Sequence, residues 1–206
     1  WVANNVGGSQ MGLVAGEIVE LTRGFDQQAD DINVSADGKS IYFTAGERGR
    51  SPIFSVPVEP DFRLRITTHV KKVLGGVSAG SINLSGDGRA IIFSASSNDA
   101  PAEIMSVNTD GSGLRALTTA NKAALTQFGL RKPEEMDWKG ALNTNIHGFL
   151  LKPANFDAAK KYPLIVLIHG GPQGAWSDNW GYRWNPQIFA NQGYVVFMPN
   201  PRGSTG

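Results

Sequence analysis

The sequence predicts two unlike folds in tandem: blades of an incomplete, all-β propeller over residues 1–128, then the beginning of an α/β sheet over residues 129–206. Three observations carry this. A strand–turn–strand unit recurs at an offset of fifty residues, the alternation stops by residue 121, and two apolar runs with a helix signal between them follow.

The repeat is explicit. Ile32-Asn33-Val34-Ser35-Ala36-Asp37-Gly38-Lys39-Ser40-Ile41-Tyr42-Phe43-Thr44-Ala45 aligns without a gap on Ile82-Asn83-Leu84-Ser85-Gly86-Asp87-Gly88-Arg89-Ala90-Ile91-Ile92-Phe93-Ser94-Ala95. Each copy reads as a strand, an Asp-Gly turn and a returning strand. Asp37 and Asp87 are turn residues by spacing, not a catalytic pair. A third strand follows over 52–58 and 103–107, and Leu21-Thr22, Ile66-Thr67 and Leu117-Thr118 close successive units. A period of about 45 to 50 residues with four short strands is that of propeller blades. A plain antiparallel sandwich is the competing arrangement, but it does not require the same Ser-x-Asp-Gly turn at a fixed interval. Two units are complete and residues 17–22 are the tail of a third. A ring takes about four to eight blades, so most of it is expected upstream of Trp1. Both ends read as cuts, since the sequence has no initiating Met and stops in a Gly-rich loop.

Residues 121–131 read as a connector with a helical turn near 123–128. Residues 133–138 and 146–153 predict an antiparallel pair joined by a turn over 140–145, and 155–161 form a polar loop. The branched apolar run over 164–168 predicts a strand covered on both faces, as in parallel sheets. It stops at His169-Gly170-Gly171-Pro172, where backbone N–H groups can stand with no side chain over them. An aromatic loop over 176–184 precedes a short helix over 186–192 ended by Gly193. A second buried strand, 194–198, runs into a last loop. Strand, strand, strand, helix, strand is how an α/β sheet with an antiparallel start begins.

Composition excludes several classes. The chain is 41% hydrophobic and 18% charged, ordinary globular material, and its formal net charge of +1 gives no general drive toward nucleic acid or anionic membrane. No apolar run approaches the roughly 20 residues of a membrane span; Trp1-Val2-Ala3-Asn4 lacks the pattern of a signal peptide, which decides little, because both ends read as cuts and a targeting segment is free to precede them. Zero cysteines exclude disulfides and thiolate metal sites within these residues.

The repeats resemble the propeller repeats of the TolB-like and dipeptidyl-peptidase type, in which Ser-x-Asp-Gly-Lys/Arg precedes an apolar strand and Leu-Thr ends the blade. The resemblance continues in His-Gly-Phe-Leu-Leu-Lys-Pro at 147–153, Lys-Tyr-Pro-Leu-Ile-Val-Leu-Ile-His-Gly-Gly-Pro at 161–172, Gly-Tyr-Val-Val-Phe at 193–197 and Asn-Pro-Arg-Gly-Ser-Thr-Gly at 200–206. In that order these motifs resemble the opening of the catalytic domain of the prolyl oligopeptidase family of serine peptidases. His-Gly-Gly-Pro-Gln-Gly, with Arg-Trp-Asn after it, is most similar to the dipeptidyl-peptidase V and acylaminoacyl-peptidase branch. Nearly the whole chain is covered. The resemblance implies that 129–206 is the N-terminal part of an α/β-hydrolase domain, that the partner is a short peptide substrate cleaved through an acyl-enzyme, and that no cofactor or metal takes part.

In α/β-hydrolases the loop after the third strand gives one backbone N–H to the oxyanion hole, and the residue after the nucleophile gives the other. Carried onto this sequence, the resemblance implies Gly171 as the donor with Gly170 beside it; a bare structural turn is the alternative. Arg202 either holds loops over the site through an ion pair or is a solvated cation. Trp176, with Trp180, Tyr182 and Trp184, either lines a substrate cavity or packs between helix and propeller. His169 is not the expected base, because a hydrolase triad runs Ser, Asp or Glu, then His along the chain; His169, His69 and His147 read as packing residues. The contexts of Ser9, Ser81, Ser112 and Ser204 all fail Gly-x-Ser-x-Gly, so the triad is expected outside these residues. The expected function is that of a segment of a serine peptidase. The alternatives are an esterase on the same scaffold and a non-catalytic propeller binding protein.

Overall fold

The computed structural model describes residues 2–3, 18–58, 69–171 and 173–205. A short antiparallel pair, β1 (Val2–Ala3) and β2 (Ile18–Val19), precedes three four-stranded sheets. The first sheet is the meander β3 (Ala29–Val34), β4 (Ser40–Ala45), β5 (Ile53–Pro57), β6 (Lys71–Leu74). The second is the meander β7 (Ser78–Leu84), β8 (Ala90–Ser97), β9 (Ala100–Asn108), β10 (Arg115–Ala116).

The repeated turn is closed by its own side chains. In the first sheet the Ser35 hydroxyl donates to Asp37 at 2.7 Å, the Lys39 amide donates to the same Asp37 oxygen at 3.0 Å, and the Ser40 amide donates to Ser35 Oγ at 2.9 Å. Ser85, Asp87, Arg89 and Ala90 repeat the set at 2.7, 3.1 and 2.9 Å. Gly38 and Gly88 follow the aspartates at φ 70° and 69°, which glycine adopts without penalty. Leu117 and Thr118 extend the edge of the second sheet by donating to the Ile104 carbonyl. Ile66-Thr67, expected to close the first unit, lies outside the described residues.

β4 sorts its side chains by alternation. Ile41, Phe43 and Ala45 join Phe54, Val56 and Phe25 in a core on one side of the first sheet. Tyr42 turns to the other side, where Ile53 meets Ala79, Ile82, Ile91, Phe93 and Val107 of the second sheet. Each fully buried large side chain here contributes about 1.5 to 3 kcal/mol.

A connector containing the helical turn α1 (Lys122–Leu125) leads to the third sheet. Its strands are β11 (Glu134–Lys139), β12 (Asn145–Leu151), β13 (Leu164–Val166) and β14 (Val195–Asn200), in the order β11-β12-β14-β13. Only the β13–β14 pair is parallel, and its connection carries α2 (Pro186–Ala190). That helix starts with Pro186 behind an Asn185 cap, whose side chain accepts the Gln187 amide at 2.9 Å. Phe149, Leu151, Ala190, Val196 and Met198 form the core under it.

Cover on both faces, predicted for the run over 164–168, is not found. β13 is an edge strand: Leu167 packs on the core, while Leu164, Val166 and Ile168 are 58%, 47% and 78% exposed. Among the described residues α2 is the one helix packed on this sheet, and it covers a single face. Among the same residues no helix is long and apolar enough to cross a membrane.

Candidate functional site

The parallel strand sets the site. Past β13 the Leu167 amide still donates to Phe197 at 2.9 Å, after which His169, Gly170 and Gly171 leave the sheet. Gly170 and Gly171 are exposed, and the Gly171 amide makes no hydrogen bond to a described residue. A Cβ on Gly170 would meet nothing within 4 Å. One on Gly174 would lie 2.9 Å from the Gly170 carbonyl oxygen, so the loop doubles back on itself and needs glycine there.

His169 is a brace between two loops. Its Nδ1 is 2.7 Å from the Gly170 carbonyl and its Nε2 is 2.9 Å from Ser204 Oγ; the Ser204 hydroxyl reaches the Pro201 carbonyl at 2.7 Å. The Thr205 amide adds a second tie, donating to the Gly174 carbonyl at 3.0 Å. Gln173, Ser204 and Thr205 then line a cavity of about 590 Å³ together with Asp26, Gln27, Gln28, Asp30 and Gly46 of the first sheet's side. Its lining contains two carboxylates and no cationic side chain.

Trp176 is half-buried against the Phe149 core. Its indole N–H donates to the Leu167 carbonyl at 2.6 Å, its amide donates to Asn200 Oδ1 at 2.7 Å, and its carbonyl accepts Asn200 Nδ2 at 3.0 Å. Trp180 and Tyr182, edge-to-face at 6.0 Å, instead line a separate cavity of about 390 Å³ with Leu125, Phe128 and Ile188. Arg202 is exposed and forms no ion pair with the described residues. Among those residues no group of His, Asp and Glu is placed to hold a metal ion.

A charged junction that no motif in the sequence announces joins the first sheet and the third. Arg48 and Arg50, in the β4–β5 turn, reach Glu135 and Asp137 on β11 and Asp178 beyond Trp176. Arg48 Nη2 lies 3.2 Å from Glu135 and 2.8 Å from Asp137. Arg50 bonds Glu135, forks onto Asp178 Oδ2 at 3.1 and 3.0 Å, and lies 5.8 Å from the centre of the Phe149 ring. The Arg48 hydrogen bonds hold the Asp137 carboxyl below its ordinary value. Burial works against ionisation of Glu135, but the Arg50 and Arg48 guanidiniums outweigh it and lower that carboxyl too. His147 is wedged beside them with neither ring nitrogen hydrogen-bonded to a described residue, its Nε2 3.6 Å from Glu135. Burial first, and Arg48 second, push its pKa below the ordinary 6.5.

No protein-family model matches the chain. The chain is 38% identical over 191 residues to a probable dipeptidyl-peptidase 5 of Arthroderma benhamiae, covering 92% of this chain and 26% of that protein. It is 38% identical over 188 residues to dipeptidyl-peptidase 5 of Arthroderma otae, covering 90% and 25%. Among solved structures, Pyrococcus horikoshii acylaminoacyl peptidase superposes with a TM-score of 0.72 at 23% identity, over 94% of this chain and 28% of that one. Porphyromonas gingivalis dipeptidyl peptidase 4 superposes at 0.65 with 20% identity, over 93% and 27%. The chain thus spans about a quarter of the length of each. The chain is similar by sequence to dipeptidyl-peptidase 5 of two Arthroderma species and by fold to acylaminoacyl and dipeptidyl peptidases.

Proposed function

We propose that this chain is the central part of a serine peptidase that hydrolyses short peptides through an acyl-enzyme, with the first two sheets as neighbouring blades of a propeller (1–128) and the third sheet as the start of an α/β-hydrolase domain (129–206). The observation that carries the reading is the exposed Gly170–Gly171 turn at the end of a parallel strand, its amide unengaged by described residues and its loop facing a cavity of about 590 Å³. When a serine attacks a peptide carbonyl, the oxygen gains negative charge, and an N–H about 2.7 to 3.1 Å away stabilises it; one such donor is worth roughly a hundred- to a thousandfold in kcat. Gly171 is that donor. Gly170, with no Cβ, keeps the approach open. The relatives' names favour peptides over esters as substrates. The blade reading is supported by the two identical turns and by Asn33 Nδ2, which donates across the sheets to the Ile82 carbonyl at 2.8 Å. Trp176 serves the site by pinning the loop to β14, and Arg202 stays a solvated cation at its rim.

The nucleophile, acid and base lie outside these 206 residues, and an oxyanion donor without a nucleophile has no intermediate to stabilise. A full-length protein containing this chain is expected to cleave chromogenic dipeptides faster than p-nitrophenyl esters, with loss on treatment with a serine-directed phosphonate. The 206-residue chain alone is expected to cleave neither. Phosphonate-sensitive turnover by the short chain would overturn the assignment.

A further inference from the structure

Asp178 lies on the loop of the third sheet, yet all four of its polar atoms are engaged by the first two sheets. Its amide donates to the Gly49 carbonyl at 2.7 Å, and its carbonyl accepts the Ser78 hydroxyl at 2.6 Å. Carboxylate Oδ2 accepts the Arg50 fork, while Oδ1 accepts the Asn98 amide at 2.9 Å and Asn98 Nδ2 at 3.3 Å. Gly49 and Arg50 belong to the β4–β5 turn, Ser78 begins β7, and Asn98 sits in the β8–β9 turn. One side chain therefore gathers two sheets. Its own exposure is 13% and that of Arg50 is 19%, so these bonds are shielded from water and salt.

Asp178 follows Gly174 by four positions, a tether of at most about 14 Å. Gly174 is bonded to Thr205 and packs on the Gly170 carbonyl, and Trp176 between them is held to Asn200 by two hydrogen bonds. The segment has no slack in which a shift of Asp178 could be absorbed.

We propose that Asp178 is a positioning residue through which the first two sheets hold the His169–Gly174 loop in its working shape. This rests on the peptidase reading above. Asp178 touches no reacting atom. It acts by fixing where the Gly171 amide stands, and a displacement of about 1 Å at such a donor is enough to cost up to a hundredfold in rate.

The test uses a full-length protein containing this chain. Asp178→Asn keeps the size but loses one acceptor and the charge; Asn98→Ala removes the Nδ2 donor shared by Asp178 Oδ1 and the Ser177 carbonyl, while the Asn98 backbone amide still donates to Oδ1. Each is expected to lower kcat on a chromogenic dipeptide by about ten- to a hundredfold while KM moves less than about threefold. Each should also speed amide hydrogen exchange in residues 169–176 with protection of β12 and β14 unchanged. Arg48→Gln, in the same ion network but bonded among the described residues only to Glu135 and Asp137, is expected to leave both readouts at wild-type values. Wild-type kcat and wild-type exchange in Asp178→Asn or Asn98→Ala would overturn the proposal, as would an equal loss in Arg48→Gln. If the wild-type protein turns over no peptide, the peptidase reading fails, and the exchange measurement alone decides whether Asp178 holds the loop.

Discussion

Asp31 and Ser81 occupy the same place in successive sheets and are bonded to each other: the Ser81 amide donates to the Asp31 carboxylate at 2.8 Å. Both sit at a register shift in their sheet and both carry left-handed backbone, at φ 48° and 53°. The fifty-residue repeat thus supplies equivalent bulges that face one another, and an exposed carboxylate spans the gap. Asp31→Asn keeps an acceptor and tolerates the conformation, so it is expected to be near neutral. Asp31→Ala leaves the Ser81 amide without its partner and is expected to cost about 1 kcal/mol in urea unfolding. Equal midpoints for the two variants would show that the bond contributes nothing.

Gly49 and Gly38 form a matched pair. Both have left-handed backbone, at φ 68° and 70°. A Cβ on Gly38 would meet nothing within 4 Å, whereas one on Gly49 would lie 2.7 Å from the Phe149 ring and 2.8 Å from the Trp176 carbonyl oxygen. Gly38→Ala should cost only the backbone term, about 1 kcal/mol. Gly49→Ala adds overpacking at the junction and should cost about 3 kcal/mol in total. Urea denaturation of the two variants side by side measures the difference.

His147 makes stability depend on pH. Its pKa is lowered in the folded protein, by burial first and by Arg48 second, relative to an ordinary 6.5. Between the lowered value and 6.5 the unfolded chain holds more protons than the folded one. Stability therefore rises with pH through that window and is lost as pH falls through it. The depressed Glu135 and Asp137 carboxyls add their own loss only lower, as pH falls below ordinary values of 4.5 and 3.8. His147→Phe removes two ring nitrogens that hydrogen-bond to no described residue while keeping contact with the Phe149 ring, 4.9 Å away. It should flatten the decline between pH 7 and pH 5, and a decline as steep as wild type would exclude His147 as its source.

Glu103 is expected to titrate at about 2. The Thr118 hydroxyl lowers it most, followed by the Asn121 amide at 2.8 Å, with the Ala120 amide at 3.0 Å helping. Because its folded value is depressed, the carboxylate's contribution is present at neutral pH and is lost as pH falls through about 2. NMR titration should find Glu103 ionised well below ordinary glutamates, and Thr118→Val should raise its pKa.

By itself the sequence determined what closes over a few residues. Ser35, Asp37, Lys39 and Ser40 complete their turn within six positions, so the motif foretells the geometry wherever it recurs. Strand order in the last segment, the glycine turn after β13 and the lack of Gly-x-Ser-x-Gly were equally legible, since each is a property of contiguous residues. The tertiary structure decided the rest. Whether β13 is covered depends on what packs against it, and an apolar run alone does not distinguish an edge strand with one open face from a buried one. That Trp176 turns into the core while Trp180 faces a cavity follows from partners on β14 and α1's flank. The junction had no sequence signature at all: Arg50 meets Asp178 across 128 positions and Glu135 across 85. Charged side chains are long and common on surfaces, so their spacing along the chain carries no information about pairing until the fold brings their ends together.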